Sequence, residues 1–233
     1  MDRIDKIVSN STKYSRSEVK KLIKANKIKV NDIVIDKPEF KVDIENDSII
    51  VNGESLTFKK NIYLVLNKPK GYISATEDRE STVLDLVSKD YGDRKLFPVG
   101  RLDKDTTGLI ILTDDGDFAH NIVSPKKDHK KIYRVTIDIP ITDEMIEEFK
   151  NGVVLIDSKC KPAKLEKIEN NIALVTLTEG KYHQIKRMFG CFKAKVIELE
   201  RIQIGNFKLP RELNLGEYRE LSDDELKMIS DFK

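Results

Sequence analysis

Between Pro98 and His120, the segment PVGRLDKDTTGLIILTDDGDFAH places Asp103, Asp105, Asp114, Asp115 and Asp117 within fifteen residues, beside Gly100, Gly108 and Gly116. Carboxylates at this density serve three kinds of chemistry. Calcium binding is one, but the segment lacks the D-x-[DN]-x-[DN]-G order and the closing bidentate Glu of a calcium loop. A pair of glycosidase carboxylates is another, and spacing alone leaves it open. The third is structural, since Asp114 to Asp117 before Phe118 have the composition of a turn that holds its own backbone. Asp103 stands apart: Arg101 and Lys104 flank it and an apolar strand follows, so a neighbouring cation would keep its carboxylate ionised.

These groups need a scaffold to position them. Apolar runs at Ile62 to Leu66, Leu109 to Leu112, Ile132 to Ile137, Ile172 to Leu177 and Lys195 to Leu199 predict strands. Thr82 to Val87, Phe118 to Val123, Thr142 to Phe149 and His183 to Phe189 predict helices between them. The order is mixed rather than a regular alternation, which predicts an α+β domain with a largely antiparallel sheet. Upstream, Ser15 and Glu18 form a capping box that starts a helix near Arg16. Its stripe of Val19, Leu22 and Ile23 turns inward, and Arg16, Lys20, Lys24 and Lys27 fall on the other side. Ile28, Val30, Ile33 and Ile35 flank an Asn31-Asp32 turn signal, and Ile49 to Val51 adds a short strand. The polar stretch Asn52 to Asn61 reads as a linker, giving a small domain at 1–58 and a larger one at 59–233.

With 233 residues, 39% hydrophobic and 35% charged, the chain has the composition of a globular protein with a sizeable core. Its apolar runs fall far short of the roughly 18 residues needed to span a bilayer. MDRIDKIVSN has no basic head followed by an apolar block, so a cytoplasmic protein is expected. Cys160 and Cys191 are expected to stay reduced, and the dispersed His120, His129 and His183 make no metal-ligand spacing. The net charge of +2 conceals segregation. From Lys13 to Lys29 seven basic residues face one acid, and from Lys181 to Lys195 five basic residues face none. Such patches suit a polyanion, because each cation that neutralises a phosphate releases counterions; the plainer reading of either patch alone is a solvated face.

Two resemblances sharpen this reading. RIDKIVSNS, followed by YSRSEVKKLIKANKIKVNDIVI and KPEFKVD, resembles the small RNA-binding domain shared with a small-subunit ribosomal protein, the S-four type. GRLDKDTTGLIILTDDG, with LNKPKGYISAT before it, SPKKDHKKIYRV after it and EGKYHQIKRMF further on, resembles the RsuA-type family of ribosomal RNA pseudouridine synthases over nearly the whole chain. DTTG after GRLD, SP before KIY and the closing GEYRELSDDEL resemble most the small-subunit (16S) branch.

The resemblance implies a small RNA-binding domain followed by a two-lobed, mainly antiparallel α+β catalytic domain with its cleft across the sheet. It implies isomerisation of uridine: the C1′ to N1 bond breaks, the base turns, and C1′ joins C5. No redox change occurs and no cofactor or metal is needed, which agrees with the absence of GxxxxGK[ST] and GxGxxG. The family's essential carboxylate falls on Asp103, its uracil-stacking tyrosine on Tyr133, and the basic partner of the carboxylate on Lys186, a point charge where relatives often carry a forked guanidinium. Arg101 matches a residue that helps displace the uridine. RNA contacts are expected from Arg101, Arg16, Lys20, Lys24, Lys27 and Arg187, whereas His183 and Gln184 are expected to shape their loop. The implied partner is ribosomal RNA, 16S or an assembling small subunit, met by a monomer away from any membrane. The alternatives are a large-subunit (23S) synthase of the same family and a catalytically silent assembly factor. A mere binder has no chemical need of Asp103, Tyr133 and Lys186 together.

Overall fold

The computed structural model describes residues 1–87, 90–91, 94–124 and 128–230. Of the SPKKDHKKIYRV segment, residues 125–127 therefore lie outside the described residues. The chain divides into two compact units, Met1–Ile62 with Leu84–Leu96 and Tyr63–Val83 with Phe97–Lys233.

In the first unit, β1 (Asp2–Arg3) leads into α1 (Ile4–Ser11) and α2 (Arg16–Lys24). The capping box forms at α2: Ser15 N–H donates to the Glu18 carboxylate at 2.8 Å and Glu18 N–H donates to Ser15 Oγ at 3.4 Å. Val19 and Ile23 are buried, while Arg16, Lys20, Lys24 and Lys27 are exposed. Strands β2 (Ile28–Val30), β3 (Ile33–Val34), β4 (Lys41–Val42), β5 (Ile49–Val51) and β6 (Glu54–Ser55) follow. Four of them form a sheet in the order β3-β2-β5-β6, and β4 pairs with β1. Asn31 and Asp32 both take positive φ, 47° and 65°, as a two-residue hairpin with the right-handed strand twist requires. Asn52 and Gly53 do the same between β5 and β6. The start of the expected linker is thus a hairpin, and Arg94 donates to the Lys59 and Lys60 carbonyls further along it.

The second unit is built on β7 (Tyr63–Lys68), β8 (Phe97–Pro98), β9 (Thr107–Thr113), α3 (Gly116–Val123), β10 (Lys131–Ile137), α4 (Asp143–Asn151), β11 (Lys164–Lys167) and β12 (Ile172–Leu177). It closes with α5 (Gln184–Gly190), β13 (Val196–Ile204), β14 (Phe207–Lys208), β15 (Tyr218–Glu220) and α6 (Asp223–Ser230). Its sheet runs β11-β12-β10-β13-β9-β7-β15, antiparallel between neighbours except β13 with β9. Leu109 to Leu112 are fully buried on both faces of β9, which is why that strand reads as an unbroken apolar run. Strand β12, half-buried, alternates instead.

Thr82–Val87 is a series of turns rather than the expected helix. Its first residues are drawn into extended pairing, with Ile73 N–H donating to Ser81 O at 2.9 Å and Val83 N–H to Ile73 O at 3.0 Å. The acidic turn at 114–117 is a cap, because Asp115 accepts from Phe118 N–H and from the Tyr63 hydroxyl.

The parallel pairing of β13 with β9 sets a steric requirement. Gly108 on β9 lies opposite Arg201 on β13 with φ +98°, and an added Cβ would sit 2.8 Å from the Arg201 nitrogen and closer still to its carbonyl oxygen. We expect Gly108→Ala to lose about 2–4 kcal/mol through this overlap and its backbone strain. Urea unfolding followed by circular dichroism checks this, since the chain has no tryptophan; an unchanged midpoint would refute the tight crossing.

Candidate active site

Beneath the Asp103 loop lies a lysine with no exposed surface. Lys68, the last residue of β7, sends its ammonium to the carbonyl oxygens of Thr106 at 2.9 Å, Pro69 and Asp103 at 3.1 Å, and Lys104 at 3.3 Å. Burial pulls its pKa down to about 8, with Asp105 and Asp103 opposing that fall and Arg201 and Lys186 adding to it. Gly71 N–H also donates to Lys104 O at 2.8 Å, and Ser74 Oγ bonds both the N–H and the carbonyl of Leu102. The GRLDKDT loop is therefore held from below through its backbone, which leaves its carboxylates free for other partners.

Those partners come from α5. Lys186 Nζ lies 3.1 Å from Asp103 Oδ2 and 2.5 Å from Asp105 Oδ1, bridging the two. Burial alone would lower the Lys186 pKa, but hydrogen bonds and charges from Asp105 and Asp103 outweigh it and hold it above the ordinary lysine value. Asp105, which burial would raise, is held below the ordinary carboxylate value by its hydrogen bond to Lys186 and that residue's charge. The two acids differ in exposure: the Asp103 side chain is 27% accessible and that of Asp105 69%. Asp103 is thus the more shielded of the two, and Asp105 meets the ammonium from the solvent side. At the start of α5, His183 adopts a left-handed conformation, φ 47° and ψ 35°, and brings Nε2 to 3.5 Å from Asp103 Oδ1.

Tyr133 is buried on β10 opposite Arg201, which in turn faces Gly108 at the start of β9. Two strand spacings, roughly 10 Å, therefore separate the Tyr133 and Gly108 backbones. Arg101 is exposed and lines an open cavity of about 540 Å³ with Phe97, Pro98 and His120. Arg187 is engaged by Asp157 and donates to the Tyr182 carbonyl at 3.4 Å. Arg16, Lys20, Lys24 and Lys27 belong to the first unit.

Comparison with known proteins decides what this arrangement is. A family model described as RNA pseudouridylate synthase matches residues 62–190, and an S4 domain model matches residues 2–49. The chain belongs to the RNA pseudouridylate synthase family. It is 40% identical to an uncharacterised RNA pseudouridine synthase, YtzG, of Bacillus subtilis, covering 98% of each chain. It is 38% identical to ribosomal small subunit pseudouridine synthase A of Escherichia coli, covering 97% of this chain and 99% of the relative. A solved structure described as a pseudouridylate synthase matches with TM-score 0.69 and 35% identity over 98% of this chain and 100% of its own. The synthase is thus an isomerase carrying an RNA-binding S4 domain and an α+β catalytic domain. Among the described residues, no helix is long and apolar enough to cross a membrane.

Sequence reasoning overlooked Lys68 and the approach of His183 to Asp103. Lysine ordinarily marks a surface, but Lys68 ends a strand whose preceding residues are buried, and that uniform apolar run was the available signal. His183 reaches Asp103 only through the tertiary fold, across eighty positions of sequence.

The buried ammonium makes a pH signature. Between pH 8 and 10.5 the native state has released the Lys68 proton while the unfolded chain still binds it, so stability gains a rising contribution with pH. Lys68→Met removes that contribution and leaves carbonyls without their donor, a cost of about 2–3 kcal/mol at pH 7. We expect the stability gap between the synthase and this variant to widen by up to about 3 kcal/mol from pH 8 to 10.5. Urea titrations across that window measure it, and a flat gap would contradict the buried charge.

Proposed function

We propose that the synthase converts a uridine of small-subunit (16S) ribosomal RNA to pseudouridine, with Asp103 as the carboxylate that acts at the target nucleotide. The observation that carries this reading is Asp103 itself: a partly shielded carboxylate on a loop pinned by Lys68, with Lys186 at 3.1 Å and His183 at 3.5 Å. A fixed, partly shielded anion needs little reorganisation when it meets a ribosyl carbon that develops positive charge. Tyr133 is the aromatic floor for the uracil, and Lys186 holds the Asp103 carboxylate in position. Arg101, two residues from Asp103, is placed to enter the space the uridine leaves when it is turned out of its stack.

The small-subunit target is supported by the relatives named ribosomal small subunit pseudouridine synthase A, at 37–38% identity over 97% of this chain. The exposed cations of α2 supply sequence-independent backbone contacts, and a base contact is not required of them. Domain limits of 1–58 and 59–233 belong to the same proposal, as do cytoplasmic action and a monomer that needs no cofactor.

Purified synthase incubated with unmodified 16S and 23S transcripts tests the reading. Mapping should find pseudouridine in 16S only, and Asp103→Asn should slow its formation by at least about 1,000-fold with RNA affinity changed by no more than a few-fold. Conversion confined to 23S would move the target, and near-normal turnover by Asp103→Asn would remove the assigned role. Replacing Lys20 and Lys24 with Gln should weaken binding and flatten the plot of log affinity against log salt by about 1.5, if each meets one phosphate. An unchanged slope would make α2 a solvated face.

A further inference from the structure

Tyr182 is a large aromatic side chain that leaves 73% of its surface in solvent beside the Asp103 site. Its ring lies parallel to that of His183, with centroids 3.8 Å apart and planes 18° apart, and His183 in turn approaches Asp103. We propose that the open face of Tyr182 is a stacking platform for the base of a nucleotide flanking the target uridine. This rests on the functional reading above and names a contact that the reading does not contain.

The turn that presents Tyr182 is fixed without help from its ring. Lys181 N–H donates to Gln184 Oε1 at 2.9 Å, Gln184 Nε2 donates to Glu179 Oε1 at 2.8 Å, and Arg187 holds the Tyr182 carbonyl while paired with Asp157. Each of these bonds uses backbone or another side chain, and none uses the phenol ring. The ring's inner face is covered by His183, whose left-handed backbone is a conformation that residues other than glycine seldom adopt. The loop thus stacks two rings beside Asp103 and leaves most of the outer one in solvent.

A nucleobase is the occupant that the surroundings favour. Stacking accepts any base, because each has a π-face, and such platforms work beside cations that track the backbone. Lys181 is such a cation: its ammonium bonds the neutral Ser158 hydroxyl at 2.9 Å and the Lys159 carbonyl at 2.7 Å, so these contacts leave its charge uncompensated. A base on the outer face would lie two ring spacings, roughly 7 Å, from His183, which is within reach of the residue next to a flipped uridine.

The converted uridine is first located by mapping 16S and 23S transcripts treated with wild-type synthase. Transcripts are then made with an abasic residue immediately 5′ or 3′ of it, and single-turnover kcat/KM is compared for wild type, Tyr182→Ala and Tyr182→Phe. On intact RNA, Tyr182→Ala should lose about 5- to 100-fold and Tyr182→Phe, which keeps the ring, should restore most of it. One of the two abasic substrates should impair wild type by a similar factor and abolish the difference between wild type and Tyr182→Ala. In addition, 2-aminopurine at that position should be quenched on binding wild type, a readout independent of the variants' folding. An equal loss by Tyr182→Ala on intact and both abasic substrates, or no quenching at either flank, would overturn the platform and leave the functional reading standing. No conversion of either transcript would overturn the functional reading, and the platform with it.

Discussion

Everything at the site depends on a positive charge that has been taken out of water. Lys68 lies wholly inside the catalytic unit, and its ammonium is satisfied only by main-chain carbonyls, three of them from the loop that carries Asp103 and Asp105. A buried ammonium is costly unless each of its protons finds an acceptor, so the carbonyls are constrained to converge and the loop can take only conformations that allow it. Geometry that would otherwise fluctuate in an exposed loop is thereby fixed by a group that never touches substrate. Asp105 and Asp103 lie close enough to oppose the fall that burial imposes on the Lys68 pKa.

On the solvent side the balance is struck by one lysine between two acids. Lys186 meets Asp103 and Asp105 together, and both it and Asp105 are driven further toward their charged forms by the contact. Their exposures differ enough to divide the work: Asp105 faces water and anchors the ammonium, which leaves Asp103 partly shielded beside it. A lysine suits this bridging better than arginine would, because its protons point in three directions and a flat fork favours one carboxylate. His183 completes the ring of groups around Asp103 from the strained start of α5.

Much of the scaffold was legible because local chemistry and tertiary structure agree. The Ser15 and Glu18 capping box, the Asn31-Asp32 hairpin, and the strands Ile132 to Ile137 and Ile172 to Leu177 all stand where their residue types put them. Asn52-Gly53 carried an equally strong hairpin signal but was absorbed into a linker, because the partner strand Glu54–Ser55 is too short and polar to show a period. Helix α1 went unread for a related reason. Its Arg3 N-cap makes no side-chain capping bond, and the buried Ile4, Ile7 and Val8 were the sole cue. Motifs located Asp103 and Lys186 separately, yet the contacts that organise them join β7, the loop and α5 across long stretches of sequence. Neither spacing nor composition encodes a lysine whose partners are carbonyls, since every residue supplies one.

On the proposed function, this Lys68-pinned, Lys186-paired carboxylate makes pseudouridine in small-subunit ribosomal RNA in the cell. The most direct measurement is a map of pseudouridines in ribosomal RNA from cells lacking the gene, complemented with either the wild-type or the Asp103→Ala chain. One pseudouridine of the small-subunit RNA should be missing in the deletion, restored by wild type and still missing with Asp103→Ala. An unchanged map in the deletion, or restoration by Asp103→Ala, would contradict it.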